Sequence, residues 1–165
     1  MADRTADRSP HRMADLLGVG REAAGLDSPA TALAALLEAP ASPEPASPAA
    51  PAAVLGRPCH ELRAHAGKSI GELLTAPDTD LAALATLKDY AKELVRRARL
   101  DSQRSAATAL YYAAIAAALV GHGRRITSYD MGKLAEGLAD LLARPWLPPE
   151  LAGMMARARA ASERG

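Results

Sequence analysis

The sequence predicts an all-α protein: a compact bundle of about five helices, preceded by an N-terminal region that is disordered and proline- and alanine-rich, with two short helical segments. Three observations carry this reading. The stretch Ala106 to Val120, AATALYYAAIAAALV, is apolar apart from one threonine and two tyrosine hydroxyls. Alanine, the best helix former, supplies nearly half of the hydrophobic residues, which make up 49 % of the chain, while phenylalanine is absent. Apolar residues recur at intervals of three and four, and period-two alternation, the mark of a strand, is not seen.

The apolar stretch is the expected central helix. On a helical wheel Thr108, Tyr111, Tyr112, Ile115 and Leu119 fall on one side, and Ala106, Ala109, Ala113, Ala116 and Ala117 on the other. Both sides are expected to be covered. The bulky side fills a groove, and the alanine side admits a neighbour closer than the usual spacing of about 8–10 Å. That close packing is expected either within the chain or across a homo-oligomer.

At 165 residues the chain suits one domain plus extra segments. Residues 1–39 are expected to be mostly disordered with short docking helices, 40–58 to form a linker, and 59–165 to form the bundle. Twenty basic residues against nineteen acidic ones give a net charge of +1, so no long-range pull toward nucleic acid or a membrane is expected. The single cysteine, Cys59, cannot close an internal disulfide. With no secretory signal pattern and an apolar run short of the roughly 20 residues a bilayer needs, a cytoplasmic protein is expected. The excess of arginine, alanine and proline suggests a bacterial, GC-rich source.

Along the chain, Ser9-Pro10 and Ser28-Pro29 each pair an N-cap with a proline at the first helical position. They introduce two apolar edges, Met13, Leu16 and Leu17, then Leu33, Leu36 and Leu37. Six prolines between Pro40 and Pro58 make an extended tether. Ser69 and Glu72 form a capping box for a short helix with Ile70, Leu73 and Leu74. Asp78 or Thr79 is expected to cap a helix over roughly Asp80 to Arg99 whose apolar face holds Leu84, Leu87, Ala91, Leu94, Val95 and Ala98, with Tyr90 at its edge. Asp101 or Ser102 caps the central helix, and Gly121 and Gly123 end it. Thr127 or Ser128 opens a helix bearing Met131, Leu134, Leu138, Leu141 and Leu142, which stops before Pro145. Pro148-Pro149 starts the last helix, with Leu151, Met154 and Met155 directed into the core.

Candidate chemistry is sparse. Ala66-Gly67-Lys68-Ser69 lacks the upstream glycine of a phosphate loop, whose place Leu62 takes. Cys59, His60, His65 and His122 lack paired metal-ligand spacing, so no metal, cofactor or catalytic group is assigned. Asp130, Glu136 and Asp140 read as a solvated helix face. Lys88, Lys92, Arg96 and Arg99 lie within about 80° on one helix face, a row able to track phosphates, but Asp89 and Glu93 interrupt it and Glu93 stands one turn before Arg97 for a surface pair.

The reading that follows is a non-enzymatic, intracellular protein-interaction module, an adaptor or regulatory subunit. Its docking elements would be Met13, Leu16, Leu17, Leu33, Leu36 and Leu37, binding a partner groove or folding back on the bundle. A nucleic-acid-associated regulator using the basic face, or an accessory subunit of an enzyme, is the alternative.

Overall fold

The computed structural model describes residues 28–41, 62, 64, 65 and 67–164. Their helices are α1 (Pro29–Glu38), α2 (Ile70–Thr75), α3 (Leu81–Arg97), α4 (Asp101–His122), α5 (Met131–Leu142) and α6 (Pro149–Arg164), with no strand among the described residues. The protein is an all-α bundle built around α4. Helix α4 lies against α3, α1 and α6, while α5 packs mainly on α6.

Helices α2, α3 and α5 begin at a side-chain cap, whereas Ser28, expected to cap α1, makes no side-chain cap bond. Ser69 and Glu72 form the expected reciprocal box: the Glu72 amide donates to Ser69 Oγ at 3.2 Å, and the Ser69 amide donates to Glu72 Oε1 at 2.8 Å. Asp80, rather than Asp78 or Thr79, caps α3 by accepting from the Ala83 amide. Thr79 is buried and donates to the Leu73 carbonyl at 2.6 Å. Helix α4 takes neither Asp101 nor Ser102 as its cap. The buried Gln103 carbonyl reaches back to accept from the Arg99 and Leu100 amides. Gly121 stays helical, and Gly123 ends α4 at φ 64°, a left-handed conformation that glycine adopts freely. Asp130, not Thr127 or Ser128, caps α5 through the Lys133 amide at 2.7 Å. A carboxylate accepting an amide at a helix start also meets the favourable end of the helix dipole.

The alanine side of α4 is enclosed within the chain. Ala106, Ala109, Ala113 and Ala116 are fully buried and Ala117 nearly so. By length and composition α4 is also apolar enough to cross a membrane, with mean hydropathy 1.3 over its best window. Here 56 % of that window is buried inside the bundle. Tyr90 corrects the expectation of an edge position, being fully buried in the core. Burial pushes its hydroxyl well above the ordinary phenol range, since an anion there would lose its hydration. Met154 and Met155 fill the core from α6.

Helix α1 corrects the expected division at residue 39. Leu33 and Leu36 are 0 % and 1 % exposed and belong to the same hydrophobic core as α4. Leu37 packs partly buried against that core, and its carbonyl lies 3.3 Å from where a side chain on Gly71 would begin. A short antiparallel bridge between Pro40 and Ser69 fixes the end of α1. In it the Ala41 amide donates to the Lys68 carbonyl and the Ile70 amide to the Ala39 carbonyl. These residues are part of the body: of the two courses expected for Leu33 and Leu36, entering a partner's groove or folding back on the bundle, they take the second. The segment with Met13, Leu16 and Leu17 lies outside the described residues, as do Cys59 and His60.

Polar contacts tie the far end of α4 to its neighbours. His65 is buried, and its Nε2 lies 2.7 Å from Asp80 Oδ1. His122 Nε2 donates to the Thr79 carbonyl at 2.7 Å. Burial works to raise the Asp80 carboxyl, but the His65 contact and backbone donors outweigh it and hold the group below its ordinary range. Both histidines thus have structural partners, and among the described residues no three metal-ligating side chains gather.

Candidate functional site

The bulky side of α4 departs from its expected enclosure. Ile115 is fully buried, but Thr108, Tyr111, Tyr112 and Leu119 are only partly covered. The open part faces α5 across a groove. Asp101, Arg104, Ser105, Thr108 and Tyr112 form one wall, spaced three and four apart so that they share a face. Gly137, Asp140 and Leu141 of α5 form the other by the same spacing, continued by Arg144 and Trp146 beyond the end of the helix. This space has a volume of about 380 Å³. A second, shallower cleft of about 610 Å³ continues past Tyr112 between Tyr129, Lys133, Glu136 and Asp140.

Tyr112, Gly137 and Asp140 line both spaces, so the Tyr112 ring is the partition between them. Its position depends on Gly137. A methyl group there would begin 2.6 Å from the ring atoms Cε1 and Cζ and from the hydroxyl, well inside normal contact. A glycine inside a helix weakens it relative to alanine by up to about 1 kcal/mol, and here it makes room for an aromatic ring.

Three tyrosines share this region. The rings of Tyr112 and Tyr129 stack, with centroids 6.2 Å apart and planes 12° from parallel. Tyr111 meets both edge-on, at 5.4 Å and 6.4 Å. These are the offset and T-shaped arrangements that aromatic quadrupoles favour. The chain has four tyrosines, one tryptophan and no phenylalanine. Four of those five aromatic side chains therefore belong to one face, and only Tyr90 lies elsewhere. Burial, followed by the hydrogen bond with the Tyr129 hydroxyl and the nearby Asp140 charge, pushes the Tyr112 hydroxyl up to about 12. Tyr129 itself is 38 % exposed, one of two exposed large hydrophobic residues among those described.

The rim is charged but balanced. Arg104 is paired with Asp101 at 2.9 Å. Asp140 stands in the last turn of α5 and Arg144 just beyond its end, and neither forms an ion pair with a described side chain. Aromatic faces, hydroxyls and paired charges supply stacking, hydrogen bonding and ion pairing, which are the chemistry of recognition.

The basic face on α3 is divided differently from a phosphate track. Lys88 lies 3.2 Å from the Asp89 carboxylate. Glu93 accepts from Arg97 at 2.9 Å and from Arg96 at 2.7 Å. Those bonds, led by the one from Arg97, hold the Glu93 carboxyl below its ordinary range. Lys92 and Arg99 are exposed. Two of the four cations in the row are thus engaged with acids on their own helix.

Of the sequence-predicted docking residues, Leu33 and Leu36 lie in the core, Leu37 at its edge, and Met13, Leu16 and Leu17 outside the described residues. Sequence reasoning places Tyr111 and Tyr112 on the bulky side of the central helix and Glu136 and Asp140 on a solvated helix face, but does not join them with Tyr129, Trp146, Arg104, Arg144 and Gly137. Two signals pointed there: the concentration of aromatics between positions 111 and 146, and a lone glycine interrupting the pattern of α5. No protein-family model, characterised protein or solved structure significantly matches this chain.

Proposed function

We propose that this chain is a non-enzymatic protein-interaction module, an adaptor or regulatory subunit, whose recognition surface is the groove between α4 and α5. The observation that supports it is the gathering of Tyr111, Tyr112, Tyr129 and Trp146 on one partly open face of a chain that has only one other aromatic residue. Tyrosine and tryptophan anchor interfaces because they bury much area with few rotatable bonds and keep a polar handle. The two walls present residues at helical spacing, and their ends carry opposite charges. An amphipathic helix of a partner, with a short apolar edge and both signs of charge beside it, suits that shape.

A photo-reactive amino acid at Thr108, inside the groove, tests this in the full chain within its native host. The expected result is an adduct with a second polypeptide that is absent when the probe sits at exposed Ala82 on α3, and that disappears when Tyr112→Ala is added. Equal labelling from both positions, or none from Thr108, would refute the reading. The pairing of Lys88 and Arg96 with acids gives the nucleic-acid alternative less support. The interaction reading accordingly expects Lys92→Glu with Arg96→Glu to leave the Thr108 adduct intact.

A further inference from the structure

We infer that the groove between α4 and α5 has an occupant within this same chain, the segment Arg12–Leu17, so that a partner must displace it. The inference rests on reading the groove as an interaction surface, and three observations support it.

The first is where the chain enters the body. Ala32 and Leu36 of α1 border a small crevice with Leu94, Ala98, Gln103, Ala106 and Ala107, at the start of α4. The other end of α1 is tied to Lys68 and Ile70. The chain from there leads through α2 to Thr79, which His122 holds at the far end of α4. The first turn of α1, which carries Ala32, therefore lies near the N-terminal turns of α4. That is also the end at which Asp101, Arg104, Arg144 and Trp146 open the groove.

The second is reach. Ten residues, Gly18 to Asp27, separate Leu17 from Ser28, three of them glycine. Fully extended they span up to about 33–36 Å. The groove lies on a different face of α4 from α1, so the connection must pass around a helix about 10–12 Å across. Ten residues cover that with length to spare, and glycines allow the turn.

The third is chemical fit. Met13, Leu16 and Leu17 are spaced to form one apolar edge on a single helical turn, matching the apolar part of the groove's lining, Tyr112, Leu141 and Trp146. Arg12 and Asp15 flank that edge with both signs of charge. Asp140 on α5 and Arg144 just past its end offer the complementary signs, whereas Asp101 and Arg104 already satisfy each other. A short apolar edge alone would bind weakly, but covalent attachment makes the encounter intramolecular, with an effective concentration in the millimolar range for a short flexible connection.

Trp146 is the sole tryptophan and lines the groove, so its fluorescence reports occupancy directly. The test uses the full chain and a full-chain variant with Leu16→Asp and Leu17→Asp, far-UV circular dichroism confirming that both are folded. The expected result is a red shift of Trp146 emission and stronger acrylamide quenching in the variant. A peptide of residues 9–20 added to the variant should reverse both, and the same peptide with the two aspartates should not. Identical Trp146 signals in the two full chains would overturn the inference, as would a signal that depends on protein concentration, which would indicate a second copy as occupant. The two readings fail separately. A Thr108 adduct to a partner with unchanged Trp146 signals leaves the interaction module without self-docking. Peptide protection of Trp146 with no partner adduct leaves self-docking without the module.

Discussion

The two sides of α4 hold their side chains in opposite ways. The side lined with alanine is buried almost completely, while the side with the larger Thr108, Tyr111 and Tyr112 remains partly open. Side-chain size alone would suggest the reverse. Small residues are buried here because they let α1, α3 and α6 approach the α4 backbone closely, and this close approach leaves no space to be filled. Large residues on the other side meet α5, which packs chiefly on α6, so their rings line a groove rather than fill one. The enclosed side holds the fold together, and the open side is the one proposed for recognition.

The largest test of this contrast is made on α1, the helix that covers part of the enclosed side. Leu33→Ala and Leu36→Ala should each lower unfolding stability by about 2–5 kcal/mol, the range for a large-to-small change in a core. A urea titration read by circular dichroism measures it. A loss below about 0.5 kcal/mol, typical of surface changes, would mean that α1 is a docking segment after all and that the core closes without it.

Next in size is a comparison across α4 itself. Ala113→Leu adds three carbons where nothing can move aside and should cost about 1–3 kcal/mol. Thr108→Leu, facing the groove, should change stability by no more than about 0.5 kcal/mol. If the two substitutions cost the same, the groove is as tightly packed as the core and the distinction between the sides disappears.

How much of this was legible in advance follows from the range of each interaction. The Ser69–Glu72 box, the proline stops and the close-packed alanines are properties of a few neighbouring residues, and they were readable. The cap of α3 was misplaced by one or two residues because Thr79 has a stronger use, its hydroxyl bonded to the Leu73 carbonyl across a turn. Tyr90 looked peripheral on the wheel of α3 alone, since a wheel cannot show how many helices will surround it. The groove was not legible, because no single helix contains it. It depends on the spacing between α4 and α5, set by Gly123 at one end of their connection and by Tyr112 lying over Gly137. Leu33 and Leu36 were correctly seen as an apolar edge. What the sequence could not decide is whether that edge is kept by the chain or offered to a partner, because both outcomes need the same residues.

Gly137→Ala sharpens the comparison where the two sides meet. Alanine improves helix propensity by up to about 1 kcal/mol, yet its methyl group would sit within 2.6 Å of the Tyr112 ring. The ring is the outer end of a side chain beside open space, so it should swing away, leaving overall stability changed by less than about 1 kcal/mol. The near-UV circular dichroism of the stacked tyrosines should change clearly. An unchanged near-UV spectrum would show that Tyr112 does not rest on Gly137.

The smallest effect is in the titration of Tyr112, and its sign follows from its position half inside the protein. The folded chain holds the hydroxyl at about 12, against 10.0 for an ordinary tyrosine, because burial and the Tyr129 hydrogen bond favour the neutral form. A group raised on folding contributes its stabilisation fully below its unfolded value and loses it as the pH climbs through the folded one. Stability should therefore decline between pH 10 and about 12, and Tyr112→Phe should lessen the decline without removing it, since buried Tyr90 is shifted in the same direction. Phenolate absorbance separates the two residues, because Tyr112 lines an open groove while Tyr90 is enclosed and should ionise only as the fold is lost. If Tyr112 titrates with an ordinary value in the folded chain, its hydroxyl stands in water and the open side of α4 is more open than the groove geometry requires.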